Sequence, residues 1–402
     1  CIRDSHYYNL QKKEEVGNLL ARTSGSFILS GWIQESKVGR IKETLEEKYP
    51  EIEITISPPR KGEKVPVVLE NSRVVQPFEV VTDLFGRPAY GGIDPTPYLA
   101  LFFALFFGLC VTDAGYGIVL VILSWLALKK LKMGPTGRRF FRLIRYGGFA
   151  SIFWGAATGG WFGNIIDSLP EGFNFLKSIK EGVVAFDPVK NPLFFLVLAI
   201  ALGFIQVSTG VTIRLFREIK EKDWQNALFR EMPALGIQFS LPLMVAIYLF
   251  KVLPPKPILI IISVGLFFLS TLAIFYYQWT TNRGVLFKLF WCLFGWYGVV
   301  AGNSLADILS YLRLFALGLT SCLLASAINE ILGLISGIPY VGLLLVIVLF
   351  VLAHLFNMVI NAFGGYVHTS RLQYLEFFMK FFEGGGEVFK PFAEERRYTI
   401  IR

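Results

Sequence analysis

The sequence predicts a polytopic α-helical membrane protein with about eight transmembrane helices, the last two long and tilted, behind a small N-terminal α/β lobe. Three observations predict it. Of 402 residues 54% are hydrophobic, and mean hydropathy is +0.54, more apolar than a water-soluble chain of this length sustains. The apolar residues, 38 phenylalanines among them, fall in long runs rather than in alternation. The net charge of +9 comes from Lys and Arg gathered beside those runs, as the positive-inside rule expects. In a soluble chain such a charge would suggest nucleic acid; its placement here argues against that partner. Cys1, Cys110, Cys292 and Cys322 have no metal-ligand spacing and read as small buried residues rather than ligands or disulfides. The chain starts with Cys and shows no signal peptide, and it is expected to be part of a longer chain.

Residues 1–96 differ from the rest and read as a small α/β lobe at the end of a helical stalk. "RDSHYYNLQKKEEVGNLLAR" is polar with spaced apolar positions, an exposed helix. "SFILSGWI" and "EIEITIS" read as strands flanking a helix over "SKVGRIKETLEEKYP". The turn-rich "SPPRKGEKVP" follows. "VVQPFEVVTDLFGRPAYGGIDPTP" reads as an extended connector into the membrane.

The membrane domain is expected over 97–390, with a cytoplasmic tail at 391–402. Crossing about 30 Å of hydrocarbon takes roughly 20 helical residues. Residues 97–131 would span about 52 Å as one helix, too long for one crossing, so two short crossings turning near "VTDAGYG" are expected, with glycine permitting the turn. Further spans fall at about 141–166, 191–216, 232–252, 255–278, 304–335 and 339–381. The aromatic stretch "VLFKLFWCLFGWYGVVAG" (285–302) reads as an interfacial segment. The loop "KKLKMGPTGRRFFRLIR" is basic without an acid and should be cytoplasmic. Alternation from there puts the soluble head and the C-terminus on that side.

The last span carries His354, Asn357, Asn361, Gly364, His368 and Arg371, spaced 3, 4, 3, 4, 3, which on a helix is expected to form one polar face that lipid cannot solvate. Helix–helix glue is the plainer reading for the asparagines, but it does not require the fixed charge of Arg371. The preceding span places Ser310, Arg313, Leu317 and Thr320 on one face, with Asp307 on a neighbouring strip, where a local basic partner is the alternative reading. A charge at mid-membrane depth costs between about 2.5 and 17 kcal/mol. Asp113, Glu330, Glu376 and Glu383 are not spaced to neutralise both arginines, so a partner bringing carboxylates is expected. Arginine stays charged where lysine could lose its proton.

"DPTPYLALFFALFFGLCVTDAGYG", "LADILSYLRLFALGLTS" and "HTSRLQYLEFFMKFFEGGG" together resemble subunit a, or subunit I, of the rotary V/A-type ATPases. "SGWIQESKVGRIKETLEE" and "NSRVVQPFEV" resemble the end of that family's cytoplasmic domain. The resemblance implies a non-catalytic membrane stator beside a proteolipid c-ring, with two offset half-channels separated by arginines, and it carries that role to Arg313 and Arg371. It implies half-channel positions at Asp113 and Glu383, beside the stripe candidates His354, Asn357, Asn361, His368, Ser310 and Asp307. His368 stands where some relatives have glutamine, Asn361 where some have an acid, and Ser321 where some have histidine. The implied partners are the c-ring, peripheral stalk subunits, a central-stalk d-type subunit and the soluble ATPase sector, in a prokaryotic plasma membrane. The chain has no GxxxxGK[ST] phosphate loop and no cofactor or metal constellation, so nucleotide chemistry is expected in partners. The translocated ion, proton or sodium, is decided in the ring. The rivals are a stand-alone ion-coupled secondary transporter, against which stands the lack of an inverted repeat, and a purely structural membrane anchor.

Overall fold

A computed structural model describes residues 2–23, 25–60, 62–168, 174–248, 254, 256–338, 340 and 342–393. Cys1 and most of the expected tail, residues 394–402, lie outside the described residues. The N-terminal part holds α1 (Ile2–Leu19), a short β1–β2 pair (Ala21–Arg22 with Phe27–Ile28) and α2 (Val38–Lys48). The expected strand over 51–57 is not formed. Alternation makes a strand only where a neighbour completes its ladder, and no described strand pairs with this segment. Among the described residues from 6 to 76 none is buried.

Packing begins at Pro77. The expected extended connector instead folds into a 3₁₀ turn, Gln76–Phe78, and α3 (Glu79–Phe85), whose Phe85 stacks on Tyr374 at 5.0 Å. Phe78 lies buried between Phe103 and Tyr146. Apolar side chains with aromatic partners thus override the prolines and glycines that suggested an open segment. Glu79 is buried and pairs with Arg139 at 3.0 Å. Burial pushes its carboxyl above the ordinary range, while the Asn71 amide and the Arg139 guanidinium pull it back.

Among the described residues five helical runs are long and apolar enough to cross a membrane: α8 (Pro192–Lys220), α9 (Trp224–Tyr248), α10 (Pro257–Thr281), α11 (Val285–Ser336) and α12 (Gly342–Phe381). They make this a membrane protein. Ahead of them stand α4 (Thr96–Val111), α5 (Ala114–Lys130), α6 (Pro135–Thr158) and the amphipathic α7 (Asn174–Val183). The region 97–131 does divide in two. Thr112 makes the break, in a left-handed conformation at φ 45°, and the Asp113 side chain caps α5. The nearby glycines serve packing instead. A Cβ on Gly155 would overlap the Ala114 amide, and one on Gly117 would meet Ile152 and Gly148, so small residues let α5 and α6 approach backbone to backbone.

The stretch 285–302 is not a separate interfacial segment. It opens α11 and runs back along α10: the Trp296 indole donates to Thr271 at 3.2 Å and the Cys292 thiol to the Phe275 carbonyl at 3.5 Å. As a straight helix the 52-residue α11 would reach about 78 Å. It is interrupted by π-geometry over Gly298–Ala306 and a turn at Ser310–Tyr311.

After α12, β5 (Gly384–Val388) pairs in parallel with β3 (Pro66–Val67) and antiparallel with β4 (Arg87–Pro88). The end of the last span is thereby hydrogen-bonded to the segments that precede the first. We expect Gly155→Ala to lower thermal stability in detergent by about 1–3 kcal/mol through overpacking. Gly364→Ala, with open space at its Cβ, should leave the unfolding midpoint near wild type.

Candidate functional site

The two arginines meet where α11 begins its long apolar stretch and α12 ends its own. Backbone geometry is irregular at both. Arg313 N–H bonds the Ser310 carbonyl at 3.3 Å and Leu314 N–H bonds Tyr311 at 3.0 Å, an i→i+3 tightening. Immediately after Arg371, Leu372–Phe378 is a π-helix. Such departures from α-geometry recur at functional sites.

The arginines differ in surroundings. Arg371 stands on the outer surface of α12. Its neighbours along that face, Phe363, Val367, Leu375 and Met379, are exposed and apolar. Arg313 is half-buried behind it, within electrostatic reach of Arg371 and of the buried Glu376 carboxylate. The Ser310 hydroxyl bonds the Ala306 carbonyl at 3.0 Å and also faces Glu376. His368 lies beside both guanidinium groups. Arg313 Nη1, His368 Nδ1 and Glu376 Oε2 have no hydrogen-bond partner among the described residues. The spacing predicts no acid that neutralises both arginines; the structure turns one, Glu376, toward Arg313.

Three polar ties hold the pair in place. Behind it, the Tyr311 hydroxyl donates to Gln206 at 2.6 Å and the Gln206 amide donates to Gln373 at 2.6 Å, joining α8, α11 and α12 two residues from each arginine. On one side Lys380 of α12 pairs with Asp307 of α11. On the other, His354 of α12 faces Asn329 of α11 across 3.0 Å.

Most other predicted residues sit in these and similar ties rather than at the arginines. Asp113 is buried and accepts from the backbone N–H of Tyr116 (2.9 Å), Phe162 (3.0 Å) and Gly163 (2.7 Å). It fixes the α4–α5 break and the turn after α6. His354 and Asn357 both meet the Tyr116 hydroxyl, at 2.7 and 2.9 Å, and Asn361 donates to Asn357 at 2.9 Å. Glu383 is 62% exposed and accepts from Arg217 at 2.8 Å. The predicted single polar face does not persist. Seventeen residues at 100° each fall about 100° short of five turns, so the stripe winds from buried His354 to exposed Arg371.

Known proteins carry the same arrangement of sequence. Residues 15–157 match the V-type ATPase 116kDa subunit family. Relatives include the A-type ATP synthase subunit I of Pyrococcus horikoshii, 32% identical over 98% of this chain and 58% of that protein. The A-type ATP synthase subunit I of Thermococcus kodakarensis is 31% identical over 98% and 58% respectively. That of Methanocaldococcus jannaschii is 29% identical over 94% and 56%. The chain thus carries a V-type ATPase 116kDa subunit family domain, and over most of its length it is similar to A-type ATP synthase subunits I. It spans somewhat more than half the length of the curated relatives it matches.

The structure brings the predicted Arg313, Arg371 and His368 together. It adds Gln206, Gln373, Tyr311, Asn329, Tyr116 and Lys380, which the sequence did not single out, and it turns Glu376, named but not placed at the pair, toward Arg313. Gln206 had a readable signal, as a lone amide inside the apolar run of α8. Lys380→Ala would leave the Asp307 carboxylate unpaired and should cost about 3 kcal/mol in unfolding measurements. Adding Asp307→Leu should recover most of the loss; no recovery would show that the pair does not hold the two helices together.

Proposed function

We propose that this chain is the membrane stator subunit of a rotary ATPase, presenting Arg371 and Arg313 to lipid-depth carboxylates of a neighbouring proteolipid c-ring. The observation that carries the reading is the single guanidinium of Arg371 on an exposed apolar helix face. Lipid does not solvate such a group cheaply, so the face calls for a partner that is apolar around one anion. In this reading residues 1–96 continue a cytoplasmic stalk domain, 97–390 form a membrane domain of about eight crossings, and 391–402 form a cytoplasmic tail. Peripheral stalk subunits, the d-type central-stalk subunit and the soluble ATPase sector are the further partners. The subunit itself catalyses nothing.

The mechanism is electrostatic. A ring carboxylate is neutral while it carries its proton or sodium ion through lipid. Near the arginines the ionised form is favoured, and the ion leaves. Two unit charges about 4 Å apart attract by about 4 kcal/mol at an effective dielectric near 20, the equivalent of roughly 3 pKa units. The anion is re-neutralised from the second half-channel after it passes. Glu376 divides the labour between the arginines. It balances Arg313 within the chain and leaves Arg371 as the charge turned outward, which limits how tightly a passing anion is held. His368, next to both, is the group of this chain suited to relay a proton.

Arg371→Ala or Arg313→Ala should abolish ATP-driven ion uptake in vesicles reconstituted with the whole complex, while the complex still assembles. Wild-type uptake by either variant would overturn the gating role. His368→Ala should slow uptake with an altered pH profile; an unchanged profile would leave His368 as packing.

A further inference from the structure

Away from the arginines, the outer face of α8 carries a groove of about 490 Å³ lined by Tyr98, Phe204, Ile205, Thr209, Phe216 and Phe239, among others. Its floor from Phe204 to Phe216 is about 18 Å long. Phe239 of α9 closes one end, edge-on to Phe204 at 5.0 Å. Tyr98 of α4 flanks the groove and packs edge-on to Phe381 at 6.4 Å. The Phe381 carbonyl accepts from Arg217, which sets Tyr98 at the Phe216 end. The lining is mostly hydrocarbon; of its serine and threonine hydroxyls, that of Ser208 has no hydrogen-bond partner among the described residues. Thr209 and Thr212 each donate to a carbonyl of their own helix at 2.7 Å, and so spend their hydroxyls within α8.

The groove has a polar end. Ile205, Thr209, Thr212, Phe216 and Lys220 follow at steps of 4, 3, 4 and 4, which keeps them on one face of α8. Lys220, the last residue of that helix, is exposed and makes no ion pair among the described residues. A slot leading from a basic helix end, where Arg217 and Lys220 share the last turn and Lys222 follows, into the apolar slab matches a lipid with an anionic head.

We infer that this groove holds one hydrocarbon chain of an anionic membrane lipid, with the headgroup at Lys220. The site is separate from the arginines and does not depend on the function proposed for them.

Native mass spectrometry tests it on the full chain, purified in mild detergent and exposed to equal amounts of dioleoyl-phosphatidylglycerol and dioleoyl-phosphatidylcholine. Wild type should retain one phosphatidylglycerol in preference to phosphatidylcholine. Thr209→Trp fills the floor and should lose the retained lipid of either kind. Lys220→Gln, an exposed change that leaves the fold intact, should keep a lipid but lower the anionic preference by about fivefold, the effect of one basic residue at a membrane surface. Equal retention of both lipids by wild type, an unchanged preference in Lys220→Gln, or full retention by a folded Thr209→Trp would each overturn the inference. So would a disulfide between Thr209→Cys and a proteolipid helix in the assembled complex, because the groove would then face protein.

Discussion

Arg371 emerges between Val367 and Leu375 on a helix face that is otherwise hydrocarbon. Holding a permanent charge there constrains the surrounding structure. Left to itself a guanidinium on a long side chain would snorkel toward water or fold onto a carboxylate of its own chain. One such carboxylate, Glu376, five residues on in the same helix, is buried and faces Arg313 instead. Glu376 thus serves the inner arginine, and the geometry leaves the guanidinium of Arg371 as the one turned outward.

The remaining polar groups of α11 and α12 keep this arrangement rigid. Asp307–Lys380 and Asn329–His354 tie the same two helices at opposite ends, with the arginines between. Tyr311–Gln206–Gln373 ties both to α8. The β3–β5–β4 sheet then fastens the end of α12 to the connector ahead of α4. A sideways load on the Arg371 face would pass into that connector through hydrogen bonds as well as through the chain. Rigid support of this kind is what a precisely placed charge requires.

The arginine pair was legible in the sequence because an obligate charge inside a 20-residue apolar run has few explanations. The split of 97–131 was legible from length alone. The details failed where regular periodicity was assumed. A 3-4-3-4-3 spacing looks like one face but lags behind a 3.6-residue helix, so His354 and Asn357 turn inward to Tyr116 while Arg371 turns outward. Glu376 was not placed at the pair because α-periodicity puts it about 140° from Arg371. The π-helix over Leu372–Phe378 changes that angle, and nothing in "LQYLEFF" announces it. Asp113 was singled out as a channel residue through the resemblance alone; that backbone amides converge on it from the start of its own helix and from the turn after α6 is visible only in three dimensions. The strand expected at 51–57 had the right alternation and no partner.

The central claim is that the Arg371 face is covered by a proteolipid carrying an anion at its own depth. Disulfide cross-linking in the assembled complex tests it directly, with single cysteines at Val367 or Leu375 paired against cysteines one turn either side of the ring carboxylate. The account predicts cross-links from both positions, and none from a cysteine at Trp125, which is exposed on α5 away from the arginine helices. Absence of any cross-link from the Val367–Leu375 face, with the complex intact, would contradict it.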